Sequence, residues 1–391
     1  MFPAKAICEA DAVAFFLPMH TATRMAVPYV QRVRELNPSI RVACYGLYAP
    51  LNADYLKSLG VDAIFGGEFE ADLLRWFATG DIQASMLPKL DFRIPDRAGL
   101  PSHSRYAKLR VLSTELVVGY TEASRGCKHL CRHCPIVPVY NGVFRVVQRD
   151  VVLADIRQQV AAGVSHITFG DPDFWNGPTH ATRILEAMHA EFPQLTFDAT
   201  IKIEHLLQHR ELLPVLRDTG CLFVTSAVES LDDEVLAKLD KGHTRADFLA
   251  VVEEFRRLGL NLSPTFIAFH PWTTLAGYRD FLQTLVTLDL VENVAPVQLA
   301  LRLLIPQGSR MLELPEVRLL ATRFDPTALT WRWTHPDAEV ERLSHTVFKA
   351  VSEERPRAEA FALVWDLVCE REMPVLVSRA TIPYLTEPWY C

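Results

Sequence analysis

Apolar and polar positions alternate with two different periods along this chain, and their order predicts an α/β protein. Short apolar runs bounded by glycine, proline or polar clusters are typical of buried strands, and the segments between them have apolar residues at helical spacing. We expect residues 1–84 to form a small Rossmann-like domain of three β/α units. Its predicted strands are 11–17, 40–47 and 63–65, and its predicted helices are 24–36 and 52–59.

A second and longer alternation begins near residue 116. Six β/α units in one run favour a partial (β/α)6 TIM-type barrel over 116–310, although the spacing alone also allows a flat sheet. The predicted strands are 116–120, 166–169, 196–201, 221–227, 261–268 and 297–304. The predicted helices between them include 151–162, 181–191, 234–239 and 245–258.

The segments on either side of this barrel have weaker patterns. Residues 85–115 carry several prolines and little periodicity, which is typical of a linker. Residues 311–391 predict a C-terminal extension with helices at 338–353 and 356–370, followed by an extended tail.

Composition and charge narrow the range of partners. Hydrophobic residues make up 49% of the chain, a globular figure, and the net charge of −7 gives no electrostatic reason to expect a nucleic acid. Because no run of eighteen apolar residues occurs, we expect no membrane span. The first residues lack the layout of a signal peptide. The sequence therefore predicts a soluble cytoplasmic protein that acts on a small molecule.

Three of the eight cysteines form a cluster, namely Cys127, Cys131 and Cys134. Thiolates are the ligands of iron–sulfur clusters, and three of them on a loop after a strand can hold three irons of a cubane while the fourth stays open. Lys128 and Arg132 in the same loop are expected to favour the thiolates. The alternative is a structural zinc site with His129 or His133 as fourth ligand, although no second Cys/His pair follows.

The spacing Cys127-x3-Cys131-x2-Cys134 resembles the signature of the radical S-adenosylmethionine (SAM) superfamily. His133 stands where that family commonly has an aromatic residue against the adenine, and its imidazole is expected to stack there. The resemblance implies a [4Fe-4S] cluster, SAM as cofactor, and an electron donor such as flavodoxin or ferredoxin. It implies reductive cleavage of one of two carbon–sulfur bonds of SAM, without indicating which.

Further segments occur in the order and spacing that the family shows, and the resemblance implies that they bind SAM. The carboxylates after the second barrel strand suit an ammonium group, although a plain turn is the alternative there. The expected cofactor-binding residues are Gly170, Asp171, Asp173, Glu229, Ser230, Thr265 and Arg302, besides His133.

The end of the third barrel strand carries two more candidates, Lys202 and Glu204. Barrel enzymes place catalytic groups at such strand ends, so both are candidate catalytic residues. The alternative is that they simply pair with each other at the rim.

The front domain resembles part of the cobalamin-binding domain that precedes many radical SAM barrels. It has three strands and lacks an Asp-x-His-x-x-Gly motif, which favours a truncated fold that has lost cobalamin and leaves cobalamin binding uncertain. A cobalamin-dependent radical SAM methyltransferase or rearrangement enzyme is thus the alternative function.

The C-terminus resembles that of a cysteine-tailed subfamily (CUAEP/CCAEP tails) related to arsinothricin biosynthesis, because residues 386–391 end in Cys391. The resemblance implies transfer of a SAM-derived group, such as 3-amino-3-carboxypropyl, to a soft acceptor such as trivalent arsenic, forming a C–As bond. Cys391, and more weakly Cys369, are the candidate substrate ligands. Without the resemblance both would be ordinary cysteines, and a zinc-binding scaffold is the alternative outside enzymes.

Overall fold

The computed structural model describes residues 4–85, 87–374 and 383–385. The chain begins with a front layer, residues 4–79, in which three parallel strands in the order β1-β2-β3 pack between helices. Its elements are α1 (Ala4–Glu9), β1 (Ala12–Phe16), α2 (His20–Leu36), β2 (Arg41–Tyr45), α3 (Tyr48–Leu51), α4 (Ala53–Ser58), β3 (Ala63–Phe65) and α5 (Glu70–Thr79). The three predicted strands are therefore present, whereas α5 had no prediction.

A seven-stranded sheet follows, in the order β11-β10-β9-β8-β5-β4-β14, and it curls into an open half-barrel. Its elements up to the fourth barrel strand are β4 (Lys108–Val111), β5 (Thr114–Thr121), β6 (Ser124–Gly126), α6 (Val137–Tyr140), β7 (Phe144–Val146), α7 (Arg149–Ala161), β8 (His166–Phe169), α8 (Pro178–Glu191), β9 (Thr196–Thr200), α9 (Ile203–Gln208), α10 (Leu213–Asp218) and β10 (Cys221–Glu229). The remaining elements are α11 (Asp233–Leu239), α12 (Arg245–Leu258), β11 (Leu262–Phe266), α13 (Leu275–Thr287), α14 (Pro315–Leu320), β12 (Arg323–Asp325), β13 (Thr330–Arg332), α15 (Ala338–Val351), α16 (Arg357–Val368) and β14 (Tyr384–Leu385).

The parallel part of this sheet has five strands. The prediction of a sixth strand at 297–304 is therefore wrong. The chain there begins with a 3-10 turn, Pro296–Leu299, and it contacts the sheet region through a single parallel bridge between Phe269 and Arg302. The side-chain oxygen of Gln298 accepts the hydrogen bond of the Phe266 amide at 2.8 Å. A buried side chain thus replaces the backbone acceptor that a sixth strand would supply.

The predicted linker, 85–115, also contributes to the barrel. Its last part forms β4, which pairs antiparallel with β5, and β14 pairs antiparallel with β4. Leu109 is fully buried in this edge. The upstream prolines hid a strand of four residues, because periodicity is hard to detect over so short a run. None of the described helices is both long and apolar enough to cross a lipid bilayer.

The front layer packs directly on the loop that carries the three cysteines. Val139 and Tyr140 of α6 belong to the same buried apolar cluster as Leu17 and Val30 of the front layer. The Tyr140 hydroxyl donates to Glu68, a fully buried carboxylate between β3 and α5, at 3.1 Å. This contact fixes the front layer at the mouth of the barrel.

Candidate functional site

The cysteine loop begins where β5 ends, and side chains from neighbouring strands hold its backbone. The Asn176 amide donates to the Gly126 carbonyl and accepts from the Lys128 amide, both at 3.2 Å. Arg132 donates from its backbone to Leu239, and from its guanidinium to carbonyls at the end of α11. Arg132 thus fastens the loop through these carbonyls. The sequence had suggested instead that its charge would stabilise the thiolates.

Gly126 is the residue immediately before the first cysteine, and it needs to be glycine. Its φ is +75°, which is in the left-handed region. A Cβ at this position would lie 2.3 Å from the ring of Tyr140. This close approach brings the cysteine loop against α6 and so against the front layer.

The three cysteines share one polar surrounding, but their sulfur atoms do not all lie within 4.8 Å of one another. Four sulfurs around a tetrahedral zinc ion are only about 3.8 Å apart, because each Zn–S bond is about 2.3 Å. Burial raises the pKa of the Cys127 thiol to about 11 and that of Cys134 to about 12. Such thiols bind as thiolates when a metal displaces the proton. The sulfurs, as they are placed, are thus not gathered around one tetrahedral zinc ion.

Next to the cysteines lies a buried polar group made of His133, Glu229 and Lys241. Oε1 of Glu229 is 3.0 Å from Nε2 of His133 and 3.4 Å from Nζ of Lys241. Burial opposes ionisation of Glu229, but the charges of Lys241 and His133 outweigh it and hold the pKa of Glu229 at about 2. Lys241 also lies close enough to Cys131 and Cys134 for thiolates there to raise its own pKa. The group therefore places a fixed positive charge beside the cysteines.

Backbone geometry aims Glu229 into this group. The register between β10 and β11 shifts between Ala227 and Glu229, and Glu229 itself has a φ of +70°. Bulges of this kind redirect side chains and are frequent beside active sites. His133 and Glu229, both predicted to bind the cofactor, are thus in contact with each other beside the cysteines.

Asp171 has a different environment from the one predicted. It is 2% exposed, and its two oxygens accept hydrogen bonds from the Ala123 amide at 2.9 Å and the Ser124 hydroxyl at 2.6 Å. Both oxygens are therefore engaged by the start of the cysteine loop. The expected contact with a ligand amine is replaced by a positioning role.

The buried carboxyl of Asp171 gives a testable pH dependence. Burial raises its pKa from 3.8 to about 7, so the group favours folding at low pH, and this stabilisation is lost as pH rises from about 4 through 7. Over that pH range the unfolding free energy of the cluster-free parent should therefore fall by on the order of 4 kcal/mol relative to that of Asp171→Asn, at about 1.36 kcal/mol per pKa unit. Urea unfolding at a series of pH values measures this difference. A constant difference between the two chains would contradict the assignment.

A second, partly buried polar group contains Asp173, Lys202 and Glu204 together with His129, named earlier only as a zinc ligand, and His205, which the sequence did not single out. Nδ1 of His205 lies 2.7 Å from Oδ2 of Asp173, and Nε2 of His205 lies 3.1 Å from Nε2 of His129. Nζ of Lys202 donates to Oε2 of Glu204 at 3.2 Å. This is the pairing that we gave as the alternative to a catalytic role. Asp173 is fully buried, and its Oδ2 lies 3.8 Å from Nε2 of His129 on the cysteine loop.

The remaining predicted residues are more scattered. Ser230 lines a cavity together with Glu229, Phe266 and residues of α13, and Thr265 is a half-buried residue of β11. The Arg302 guanidinium lies 3.9 Å from the centre of the Trp333 ring and donates to Glu341 at 2.8 Å, which docks α15. These contacts do not fit the predicted direct role of Arg302 at the cofactor, although its side chain lines a small cavity with His133.

Neither candidate substrate cysteine is placed at the site. Cys369 follows α16 and packs against the main hydrophobic core near Tyr278 and Arg279, away from the cysteine loop. Cys391, with the rest of the tail 386–391, lies outside the described residues. The predicted pairing of Cys369 with a soft acceptor is therefore not supported by its position.

An open cavity lies between the front layer and the barrel, and we call it the interface cavity. Two parallel sheets direct their carboxyl ends into it, the arrangement that forms ligand sites in α/β proteins. The front layer contributes Phe16, Pro18, Met19, Gly46, Leu47, Gly67 and Phe69. The barrel contributes Tyr120, Glu122, Arg125, Gly126, Ile136, Tyr140, Gly170 and Pro172.

The polar wall of the interface cavity is an ion-pair network centred on Arg125. Its guanidinium donates to Glu122 at 2.8 Å and also contacts Glu68 and Glu70. Gly170 lines the same wall and has no room for a side chain, because a Cβ there would lie 1.9 Å from the Tyr120 hydroxyl. Gly170 thus shapes the cavity rather than contacting a ligand through a side chain.

The family profile of the radical SAM superfamily matches residues 121–285, the stretch that contains the cysteine loop and the carboxyl ends of all five parallel strands. Residues 121–285 are thus a radical SAM region. Like the family members it resembles, the chain is an enzyme. The radical SAM region thus begins at the last residue of β5 and ends within α13.

Curated relatives of this chain include two kinds of methylthiotransferase. Over 199 residues it is 25% identical to ribosomal protein uS12 methylthiotransferase RimO of Parabacteroides distasonis, covering 47% of this chain and 45% of the relative. Over 277 residues it is 24% identical to the tRNA-2-methylthio-N(6)-dimethylallyladenosine synthase of Serratia proteamaculans, covering 67% and 55%. The chain spans about half the length of these relatives. Since one of them is named for a tRNA, net charge alone was a weak argument against nucleic acids.

Solved structures with the same fold include two radical SAM enzymes. OxsB with aqua-cobalamin and SAM bound superposes with a TM-score of 0.66 at 12% identity, over 93% of this chain and 64% of that one. TsrM from Kitasatospora setae with tryptophan and a SAM analogue bound gives 0.62 at 14% identity, over 82% and 68%. The superposition covers most of this chain and therefore confirms the predicted fold class, an open half-barrel.

Sequence reasoning missed several residues of this radical SAM site. Lys241 was not singled out as a candidate, and His129 was considered only as a zinc ligand. His205, Glu122 and Arg125 were not singled out as candidates. The signal for Lys241 was its position directly before Gly242, whose φ is +73° and where a Cβ would lie 2.6 Å from Glu204.

Proposed function

We propose that this chain holds one [4Fe-4S] cluster on Cys127, Cys131 and Cys134 and transfers a group from SAM to an acceptor in the interface cavity. The observation that carries the proposal is the cavity itself, because it reaches Gly126, the neighbour of Cys127, and is walled by both sheets. An acceptor held there lies beside the cysteine loop and is shielded by the front layer. Small acceptors suit such a cavity better than a macromolecule.

The chain's own residues supply binding and charge in this proposal. A reduced cluster supplies the electron that breaks a carbon–sulfur bond of SAM. The three cysteines hold the cluster, and Lys241 provides positive charge beside two of them. His133, Pro135 and Ile267 line a small cavity next to the third cysteine, which suits the flat adenine of SAM. Asp171 and Asn176 keep the loop in place.

Cobalamin is the alternative occupant of the same interface, since OxsB and TsrM structures contain it. The contacts across this interface favour a small acceptor. The Tyr140 hydroxyl and Arg125 both bind Glu68, so direct polar contacts join the front layer to the cysteine loop across this interface. We therefore expect no change in the visible absorption of hydroxocobalamin when the purified chain is added, and a stoichiometric change would overturn this part of the proposal.

The acceptor is, in our proposal, a soft centre such as trivalent arsenic, bound by the thiolate of Cys391. Thiolates are suited to soft ions, whereas a serine hydroxyl is a poor ligand for them. The cluster-loaded and reduced Cys391→Ser variant should therefore cleave SAM as the parent does, but should form less arsenite-dependent product. Cys8→Ser, which alters an exposed cysteine of α1, is the matched control.

One product analysis tests the reaction and the acceptor together. 5′-Deoxyadenosine and 5′-methylthioadenosine report which carbon–sulfur bond breaks, and radiolabelled SAM reports where the transferred group goes. We expect 5′-methylthioadenosine and label in a small arsenic-containing molecule. Label in tRNA or ribosomal protein would replace the acceptor, and the absence of both nucleoside products would overturn the proposed reaction.

A further inference from the structure

Three side chains behind the cysteine loop offer atoms to a common point. His129 lies on the loop, Asp173 follows β8, and His205 lies on α9; all three present a nitrogen or oxygen within 4.8 Å of the others. Nε2 of His129 is 3.1 Å from Nε2 of His205 and 3.8 Å from Oδ2 of Asp173. Ligand atoms about 2.1 Å from a tetrahedral ion are about 3.4 Å apart. The observed separations bracket that value.

Two of these side chains lack the hydrogen bonds that their burial requires. Asp173 and His205 are fully buried. Oδ2 of Asp173 and Nδ1 of His205 are 2.7 Å apart, but their alignment is poor and neither atom has a hydrogen-bond partner. A buried carboxylate oxygen without a partner is costly unless a cation compensates it. A metal ion held by Oδ2 of Asp173 and by Nε2 of both histidines would compensate this carboxylate oxygen.

A further carboxylate orients the more exposed histidine. Oε2 of Glu204 lies 3.5 Å from Nδ1 of His129, the nitrogen that does not face His205. Metal-binding histidines commonly have a carboxylate at the second ring nitrogen, which fixes the ring orientation. The neighbouring Lys202 would repel a cation, but its charge is paired with the same Glu204 at 3.2 Å.

We propose that His129, Asp173 and His205 bind a divalent transition-metal ion that is separate from the cluster on the three cysteines. Two histidines and one carboxylate are a common ligand set for Zn²⁺ and Fe²⁺, and they leave a position open to water or another ligand. The ion ties the cysteine loop to the ends of β8 and β9. This site does not depend on which acceptor the enzyme uses, so failure of the arsenic proposal leaves it untouched.

The test uses Zn²⁺ with the cluster-loaded chain. After anaerobic reconstitution, incubation with Zn²⁺ and gel filtration, metal analysis should find one zinc per chain in addition to the cluster iron. X-ray absorption at the zinc edge should show nitrogen and oxygen ligands without sulfur. If no zinc binds, the site is overturned and the two histidines are only a hydrogen-bonded pair. Zinc bound by sulfur would overturn the site as well.

Variants assign the zinc to its residues. His129→Gln changes the most exposed of the three ligands and should lower zinc affinity at least about 100-fold while the chain stays folded. His205→Ala should do the same, and His209→Ala is the matched control, because its ring lies 6.1 Å from that of His205 but belongs to no such group. Unchanged zinc affinity in His129→Gln would overturn the proposal. Because a change at buried His205 can unfold the chain, circular dichroism accompanies each titration, and His129→Gln decides alone if His205→Ala is unfolded.

Discussion

Alanine at Cys127, Cys131 or Cys134 is expected to abolish both cluster assembly and cleavage of SAM while the barrel remains folded. Each thiolate bonds to a different iron of a cubane, so the remaining two cannot hold the cluster as three do. The main hydrophobic core contains none of the three cysteines, and the fold therefore does not depend on them. Iron and sulfide content, visible absorption and the two nucleoside products measure the loss after anaerobic reconstitution.

Cys221→Ala is the control for this prediction, because Cys221 is a half-buried residue of β10 outside the loop. That variant should keep its iron and its turnover. If any one of the three cysteine variants kept full iron content and turnover, the assignment of the cluster to these cysteines would be wrong. A parent chain that holds zinc on sulfur and no iron after anaerobic purification would instead favour the zinc scaffold.

The alternation of strands and helices was enough to predict most of the fold. The five parallel strands of the barrel carry short apolar or alternating runs, which differ in period from the helical segments. The sixth strand failed because 297–304 is an apolar run that folds as a 3-10 turn and a single bridge. Local periodicity cannot show that the side chain of Gln298 satisfies the strand edge instead, since this is a contact over 32 residues.

The candidate site was predictable where its residues are close in sequence. The three cysteines lie within one loop, and their spacing carried the identification. The polar groups around them depend on contacts across the barrel, for example His133 with Glu229 over 96 residues and His129 with His205 over 76. Asp171 shows a different limit, because its motif position predicted a ligand contact whereas both its oxygens hold the start of the cysteine loop. The front-layer contacts through Glu68 and Arg125 had no local signal at all.

The second large effect should come from the ion pair of Glu229 and Lys241. Their side chains are 10% and 3% exposed, so removing one partner leaves a buried charge. Glu229→Gln should therefore cost about 3–5 kcal/mol of unfolding free energy in the cluster-free chain. Lys241→Met should cost less, because His133 still lies 3.0 Å from the Glu229 carboxylate. Urea unfolding of both single variants measures these values.

The double variant Glu229→Gln, Lys241→Met separates two roles of the lysine. With both charges gone, the double variant should lose much less unfolding free energy than the two single variants lose in sum. Cluster retention should not recover, because the positive charge beside Cys131 and Cys134 is still missing. Lys238→Met is the matched control, since Lys238 pairs with Glu316 at the surface and such a pair contributes less than about 1 kcal/mol. Full iron retention in the double variant would mean that Lys241 serves only to neutralise Glu229, and the electrostatic role at the cysteines would then be wrong.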